Sequence, residues 1–163
     1  YYHYGIPKHA LPHKLFGVFQ HTLEGSNYIL FRGFDDSFWV PHSRNTTVRR
    51  EDIEAVPELK IMAASPEAGI YAAKTAQGRQ VFLMGHAEYD RDTLKKEYLR
   101  DVAAGVDIQL PKHYFPQDDP NREPLVRWRS CAHLLYGNWL NYCVYQTTPY
   151  DIGGILHGVR TDD

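Results

Sequence analysis

Gln80-Val81-Phe82-Leu83-Met84-Gly85-His86-Ala87-Glu88-Tyr89-Asp90 runs from an apolar stretch into a glycine, a histidine and, two residues on, a carboxylate. An apolar run of this length and β-character suits a buried central strand. If the chain stays extended past Gly85, residues two apart project to the same side, so His86 and Glu88 share a face. A carboxylate in that position orients an imidazole and stabilises its protonated form, as the base and orienter of a nucleophilic triad do. The nucleophile itself is missing from this stretch. A helix start follows directly, with Asp90 or Asp92 as cap and Glu97 in the first turns. Alone, His-x-Glu is a weak pattern, because a histidine at a strand end is more often a satisfied polar group than a catalyst.

Outward from this stretch, strand and helix signals alternate. Lys14 to His21 reads as a strand and Tyr28 to Phe31 as a second short extended piece. Arg32 to Arg44 is rich in aromatic and polar residues without a clean period and reads as loop, a common carrier of function. Arg50 to Val56 is a short helix, Leu59 to Ser65 a strand, and Ile70 to Lys74 with Gln80 to Met84 a hairpin about Ala76-Gln77-Gly78. The periodicity predicts a helix over 92–104 with Leu94, Tyr98 and Val102 on one stripe, stopping at Gly105. Pro111, Pro116, Pro120 and Pro124 mark an irregular surface loop. From Trp128 to Gln146, apolar residues recur at helical spacing on a helix apolar on its flanks too, which predicts deep burial or a subunit interface. The interleaving predicts a three-layer α/β fold with a mostly parallel sheet and one hairpin, and ligands at the carboxyl ends of strands.

The 163 residues, 43% hydrophobic and 23% charged, suit one globular domain with a single core. A net charge of -2 lacks the basic footprint of a nucleic-acid binder. No apolar stretch approaches membrane-spanning length and the start has no signal-peptide pattern. Two cysteines suit a reducing compartment, so the expected location is the cytoplasm. A zinc deaminase also uses His-x-Glu but needs a Pro-Cys-x-x-Cys pair; Cys131 and Cys143 are too far apart, and no metal is expected. Tyr1 to Pro7 reads as a helix ending at Gly5 before a proline, so the chain is expected to be a fragment that opens inside an element.

Several segments together resemble the homoserine O-acyltransferases of the MetA family. They are Tyr4-Gly5-Ile6-Pro7-Lys8, Lys14-Leu15, Arg32-Gly33-Phe34-Asp35-Asp36, Pro41-His42-Ser43-Arg44, Gly85-His86-x-Glu88-Tyr89-Asp90, Trp128-Arg129-Ser130, Asn138-Trp139-Leu140-Asn141-Tyr142 and Tyr145-Gln146-x-Thr148-Pro149-Tyr150-Asp151. So many motifs in order, across nearly the whole chain, make the resemblance specific. It implies a fold like the class I glutamine amidotransferases. It also implies transfer of an acetyl or succinyl group from acyl-coenzyme A, through a cysteine thioester, to the hydroxyl of homoserine in methionine biosynthesis. The catalytic residues would be His86, as general base, and Glu88. Lys14, Ser43 and Arg100 match the family's substrate-binding positions. Acyl-coenzyme A is a co-substrate; no cofactor is implied. A homodimer is the expected assembly.

Each position has a plainer reading. Lys14 also suits the solvated start of a strand, Ser43 a turn, and Arg100 a helix-face pair with Glu97; the aromatic cluster Phe31, Phe34, Phe38 and Trp39 suits core and loop packing. The family's nucleophilic cysteine precedes the segment beginning at Tyr1, and Cys131 and Cys143 read as buried structural thiols. The chain, 1–163, is thus expected to be the carboxyl-terminal part of a single acyltransferase domain and, without a nucleophile worth roughly 10⁶ in kcat, nearly inactive alone. Two other activities share this chemistry: serine O-acetylation by a member of the same family in cysteine biosynthesis, and glutamine hydrolysis by an amidotransferase. A non-enzymatic half-domain for assembly or regulation is a further alternative.

Overall fold

A computed structural model describes residues 2–148. β1 (His9–Leu23) and β2 (Ser37–Thr47) form a long antiparallel ribbon that pairs Leu15 with Arg44 and Thr22 with Ser37. β3 (Leu59–Ser65), β4 (Gly69–Thr75) and β5 (Val81–Leu83) extend the sheet in the order β2-β1-β3-β4-β5. Residues just after β5 nevertheless reach β2, at the far end of that order: the His86 N–H donates to the Pro41 carbonyl at 2.9 Å. The sheet is curled until its two ends meet.

The expected mostly parallel pairing is not what the described residues adopt. Every ladder is antiparallel, and the one parallel contact is an isolated bridge between Gly17 and Lys112. Parallel neighbours need a crossover, usually a helix. Here residues 66–68 and 76–80 are tight returns, and 24–36 holds only a 3₁₀ turn, Ile29–Phe31. That turn also replaces the extended piece expected at Tyr28 to Phe31. The hairpin about Gly78 is present as predicted, with Gly78 at φ +73°.

Three layers are present. Register alternation sends Phe38 and Val40 to the concave face with Tyr71, Phe31 and Leu30, against Ala132 and Leu135 of α3 (Arg129–Asn138). On the opposite face Phe16 and Val18 pack with Leu94 of α2 (Thr93–Ala103), Tyr114 and Trp128, while Ile61, Ile70 and Ala73 meet Ile53 of α1 (Arg50–Glu54). A fully buried leucine such as Leu94 contributes roughly 1.5–3 kcal/mol over its exposed state. The proline-bearing segment is no detached loop: Tyr114 and Phe115 are buried, and Lys112 bonds β1 through its N–H to the Phe16 carbonyl and its carbonyl from Val18 N–H. Only a glycine admits that approach at position 17, because a Cβ there would fall on the Lys112 backbone.

Four further expectations need correction. Much of Arg32 to Arg44 is strand β2, not loop; pairing with β1, and cover on both faces, override its weak period. β5 is three residues long and pairs with β4 alone among the described residues, so the Gln80 to Met84 run is not a covered central strand. The last helix is α for ten residues and then π-helical over Trp139–Tyr145. It is not deeply buried: Ala132, Leu135 and Asn138 are, whereas Trp139 is half-exposed. Cys131 and Cys143 are only partly buried. Among the described residues no helix is long and apolar enough to cross a membrane. Of the resemblance motifs, Pro149, Tyr150 and Asp151 lie outside the described residues.

Two fully buried histidines sit inside the curl. His21 Nδ1 lies 3.0 Å from the Phe19 carbonyl and must donate to it, since a carbonyl only accepts. Its Nε2 then accepts from His42 Nε2, 3.2 Å away, which leaves His42 Nδ1 a bare acceptor with no partner among the described residues. Desolvation lowers the pKa of His21 to about 4 and, together with its neighbour, that of His42 to about 2. Both stay neutral when folded and protonate near 6.5 when unfolded, so stability is complete above that pH and is lost as pH falls below it. Denaturant unfolding at stepped pH is expected to show a loss of roughly 1 kcal/mol per pH unit per histidine between about 6.5 and 4. A flat profile there would contradict the buried neutral pair.

Candidate active site

The site is assembled where the sheet closes. Gly85 lies against β2 so tightly that a Cβ would stand 2.6 Å from Val40 Cγ1 and 2.9 Å from the His42 ring. Pro41 suits the adjoining position: at an outer strand it forfeits no ladder bond, and its outward carbonyl receives the His86 N–H. These contacts fix the backbone entering His86.

His86 and Glu88 do come together, with Nδ1 2.8 Å from Glu88 Oε1. The geometry differs from strand alternation: the chain turns after His86, and Tyr89 N–H bonds back to the His86 carbonyl at 3.3 Å. Glu88 accepts from Nδ1, so in neutral His86 the lone pair is on Nε2, the form a base requires. The ring stacks on Tyr89 at 4.4 Å and 11°. Neither Cys131 nor Cys143 is among its contacts. Burial raises the Cys131 thiol pKa, the reverse of an activated nucleophile.

Lys14 and Ser43 meet on one residue of α2, Glu97. Ser43 Oγ donates to Glu97 Oε2 at 2.6 Å, Lys14 Nζ lies 3.3 Å from the same oxygen, and the Tyr89 hydroxyl reaches Oε1 at 3.3 Å. Lys14 also bonds Asp101 at 3.3 Å, and the Arg100 guanidinium holds Asp101 from the other side at 2.6 Å. That pair lowers the Asp101 pKa and raises that of Arg100. Desolvation, then the Glu97 charge, pushes the Tyr89 phenol up to about 12. Arg100 thus pairs with its neighbour Asp101, not Glu97, and is the most exposed member at 67%. Tyr89, touching both His86 and Glu97, links the imidazole pair to the cluster.

Glu97, Asp101 and Tyr89 carry this arrangement, and the sequence reading gave them no role in it. One signal was present: Glu97 and Asp101 stand four apart on a helix, and like charges at that spacing repel unless a cation lies between them. Lys14 is that cation. Among the described residues no group of three or more metal-ligating side chains is found.

A family model described as homoserine O-succinyltransferase matches residues 1–150. Homoserine O-acetyltransferase of Brevibacillus brevis is 59% identical over 152 residues, covering 93% of this chain and 50% of that protein. The enzyme of the same name from Clostridium novyi is 60% identical over 151 residues, with the same coverage. The chain spans about half the length of the curated relatives it matches. Among solved structures, a glutamine amidotransferase from Thermotoga maritima aligns with TM-score 0.54 at 15% identity, over 83% of this chain and 54% of that one. One from Methylobacillus flagellatus gives 0.53 at 13%, over 83% and 55%. The α/β fold is therefore of the class I glutamine amidotransferase type.

Substituting Gly85→Ala tests the closure. With a methyl aimed at Val40 and His42, the expected outcome is a shifted His86 imidazole resonance by NMR and a stability loss of roughly 1–3 kcal/mol. An unchanged resonance together with an unchanged melting temperature would show that the approach is not limiting.

Proposed function

The chain belongs to the homoserine O-succinyltransferase family, and from that premise we propose that the whole protein acylates the hydroxyl of L-homoserine from acyl-coenzyme A, for methionine biosynthesis in the cytoplasm. The names of the Brevibacillus and Clostridium relatives favour acetyl as the group moved. The observation that carries the proposal is the His86–Glu88 pair at 2.8 Å, joined through Tyr89 to the Lys14, Ser43 and Glu97 cluster.

In the first step a cysteine thiolate of the whole protein, its proton held on His86 Nε2, attacks the thioester carbonyl; its new C–S bond replaces the bond to coenzyme A, which takes the His86 proton and leaves as a thiol. In the second, His86 Nε2 takes the proton of the homoserine hydroxyl as that oxygen attacks the acyl-cysteine, and the thiolate is released. Glu88 holds Nδ1–H, keeps the imidazole in the right tautomer and stabilises the imidazolium; such a base contributes roughly 10²–10⁴ in rate. Homoserine is a zwitterion. Lys14 and Arg100 present cations for its carboxylate, Glu97 presents an anion for its ammonium, and Ser43 fixes Glu97 by a short hydrogen bond of 2.6 Å. Within the cluster these charges neutralise one another, and the substrate exchanges for those pairings.

Intact-mass spectrometry of the full-length protein with acetyl- or succinyl-coenzyme A is expected to show one acyl adduct on cysteine, and His86→Ala to slow acyl transfer by roughly 10²–10⁴. Ammonia release from glutamine without any adduct would replace this reading with the amidotransferase one. Glu97→Gln is expected to raise KM for homoserine while leaving acyl-adduct formation in place. Equal loss in both half-reactions would remove Glu97 from amino-acid binding.

A further inference from the structure

Around the segments that flank Trp128 lies an open cleft of about 560 Å³, walled by Arg91, Arg127, Arg129, Ser130, Glu123 and Leu125. Three arginines line it with a single carboxylate residue, Glu123, which is already engaged by Lys95 at 3.4 Å. Arg127 is held in place, stacked 4.0 Å over Trp39 and bonded to the His113 carbonyl. Arg91 and Arg129 form no ion pair among the described residues. Arg129 is also the first residue of α3, a helix with no side-chain cap and no acid in its first turn. A cation at a helix N-terminus opposes the helix dipole and costs stability. The sequence therefore accumulates positive charge where folding alone disfavours it, which is the signature of a site that receives an anion.

The cleft adjoins the site just described. Trp128 Nε1 donates to the Tyr89 carbonyl at 2.8 Å, and Tyr89 stacks on His86. Arg127 and Arg129 flank Trp128 in the chain, and Arg91 follows Tyr89 by two residues. Coenzyme A separates its thioester from its phosphates by a flexible pantetheine arm, so its phosphate subsite belongs beside the reacting centre and not within it. Guanidinium forks match phosphate oxygens two at a time. Leu125, 51% exposed on the same wall, offers apolar surface to the adenine or the arm. We propose that Arg91, Arg127 and Arg129 bind the phosphoryl groups of the acyl-coenzyme A nucleotide. This rests on the acyl-coenzyme A reading above.

The test uses the full-length protein and the variants Arg91→Gln, Arg129→Gln and their combination. With acetyl-coenzyme A each single variant is expected to raise the donor KM roughly tenfold, as the loss of one charge-assisted phosphate contact implies. The KM for homoserine should stay put. The defect should vanish with acetyl-pantetheine, which carries no phosphate; an equal defect with that donor would mean a structural role and overturn the proposal, as would an unchanged KM for acetyl-coenzyme A. Calorimetry with 3′,5′-ADP, and with inorganic phosphate alone, reads the site independently of turnover. Binding of 3′,5′-ADP to the wild-type protein and not to the double variant supports the subsite; equal binding to both, or preference for inorganic phosphate over the nucleotide, overturns it. Absence of acyl transfer from any donor, with nucleotide binding intact, would instead fault the proposed function.

Discussion

The meeting of the two sheet ends is the constraint on which the molecule depends. β2 and β5 stand at opposite ends of the strand order, yet the chain leaving β5 is bonded to Pro41 and pressed against Val40 and His42. Gly85 permits the approach by having no side chain, and Pro41 supplies a carbonyl that owes nothing to the ladder. His42, neutral and paired with His21, fills the space behind. The backbone of His86 is placed by these contacts and not by its own functional groups.

The polar cluster follows a second rule. α2 leans on the convex face through Leu94, fully buried, and this turns Glu97 and Asp101 toward Lys14 and Ser43 of the ribbon. Charges that would repel along the helix are neutralised across the interface. Glu97 accepts from three different side chains, so its position is overdetermined, whereas Arg100 pairs with Asp101 and keeps most of its surface in water. A firmly held anion and an exposed cation are suited to a small substrate carrying both charges.

Much of this was legible in the chain. β3, β4, α1 and α2 stand almost where hydrophobic period and stop signals put them, because each is a local element bounded by turns, with Gly105 at φ +70° just past α2. β2 was not, since Phe38, Trp39, Val40, Pro41 and His42 are needed on both faces and so show no alternation; only pairing with β1 reveals the strand. The parallel expectation failed because the returns at 66–68 and 76–80 are too short for the crossover that parallel neighbours need. At the site, His86 and Glu88 do bond each other, but through a turn in place of the extended strand that the spacing suggested. Lys14, Ser43 and Arg100 were found by motif resemblance. Glu97 and Asp101 bring them together, and pairwise spacing on one helix cannot disclose a partner arriving from another element.

The curl has a kinetic consequence. β3, β4 and β5 are joined by short turns and can pair early, whereas the contact between residues 41 and 86 closes a long loop whose entropy is recovered only when both ends are in place. Until then β2 and β5 present unpaired backbone at both margins, the kind of edge along which chains associate into aggregates. Substitutions at Gly85 or Pro41 therefore act first on yield from the cell, by prolonging the open form, before their effect on a purified protein is measured.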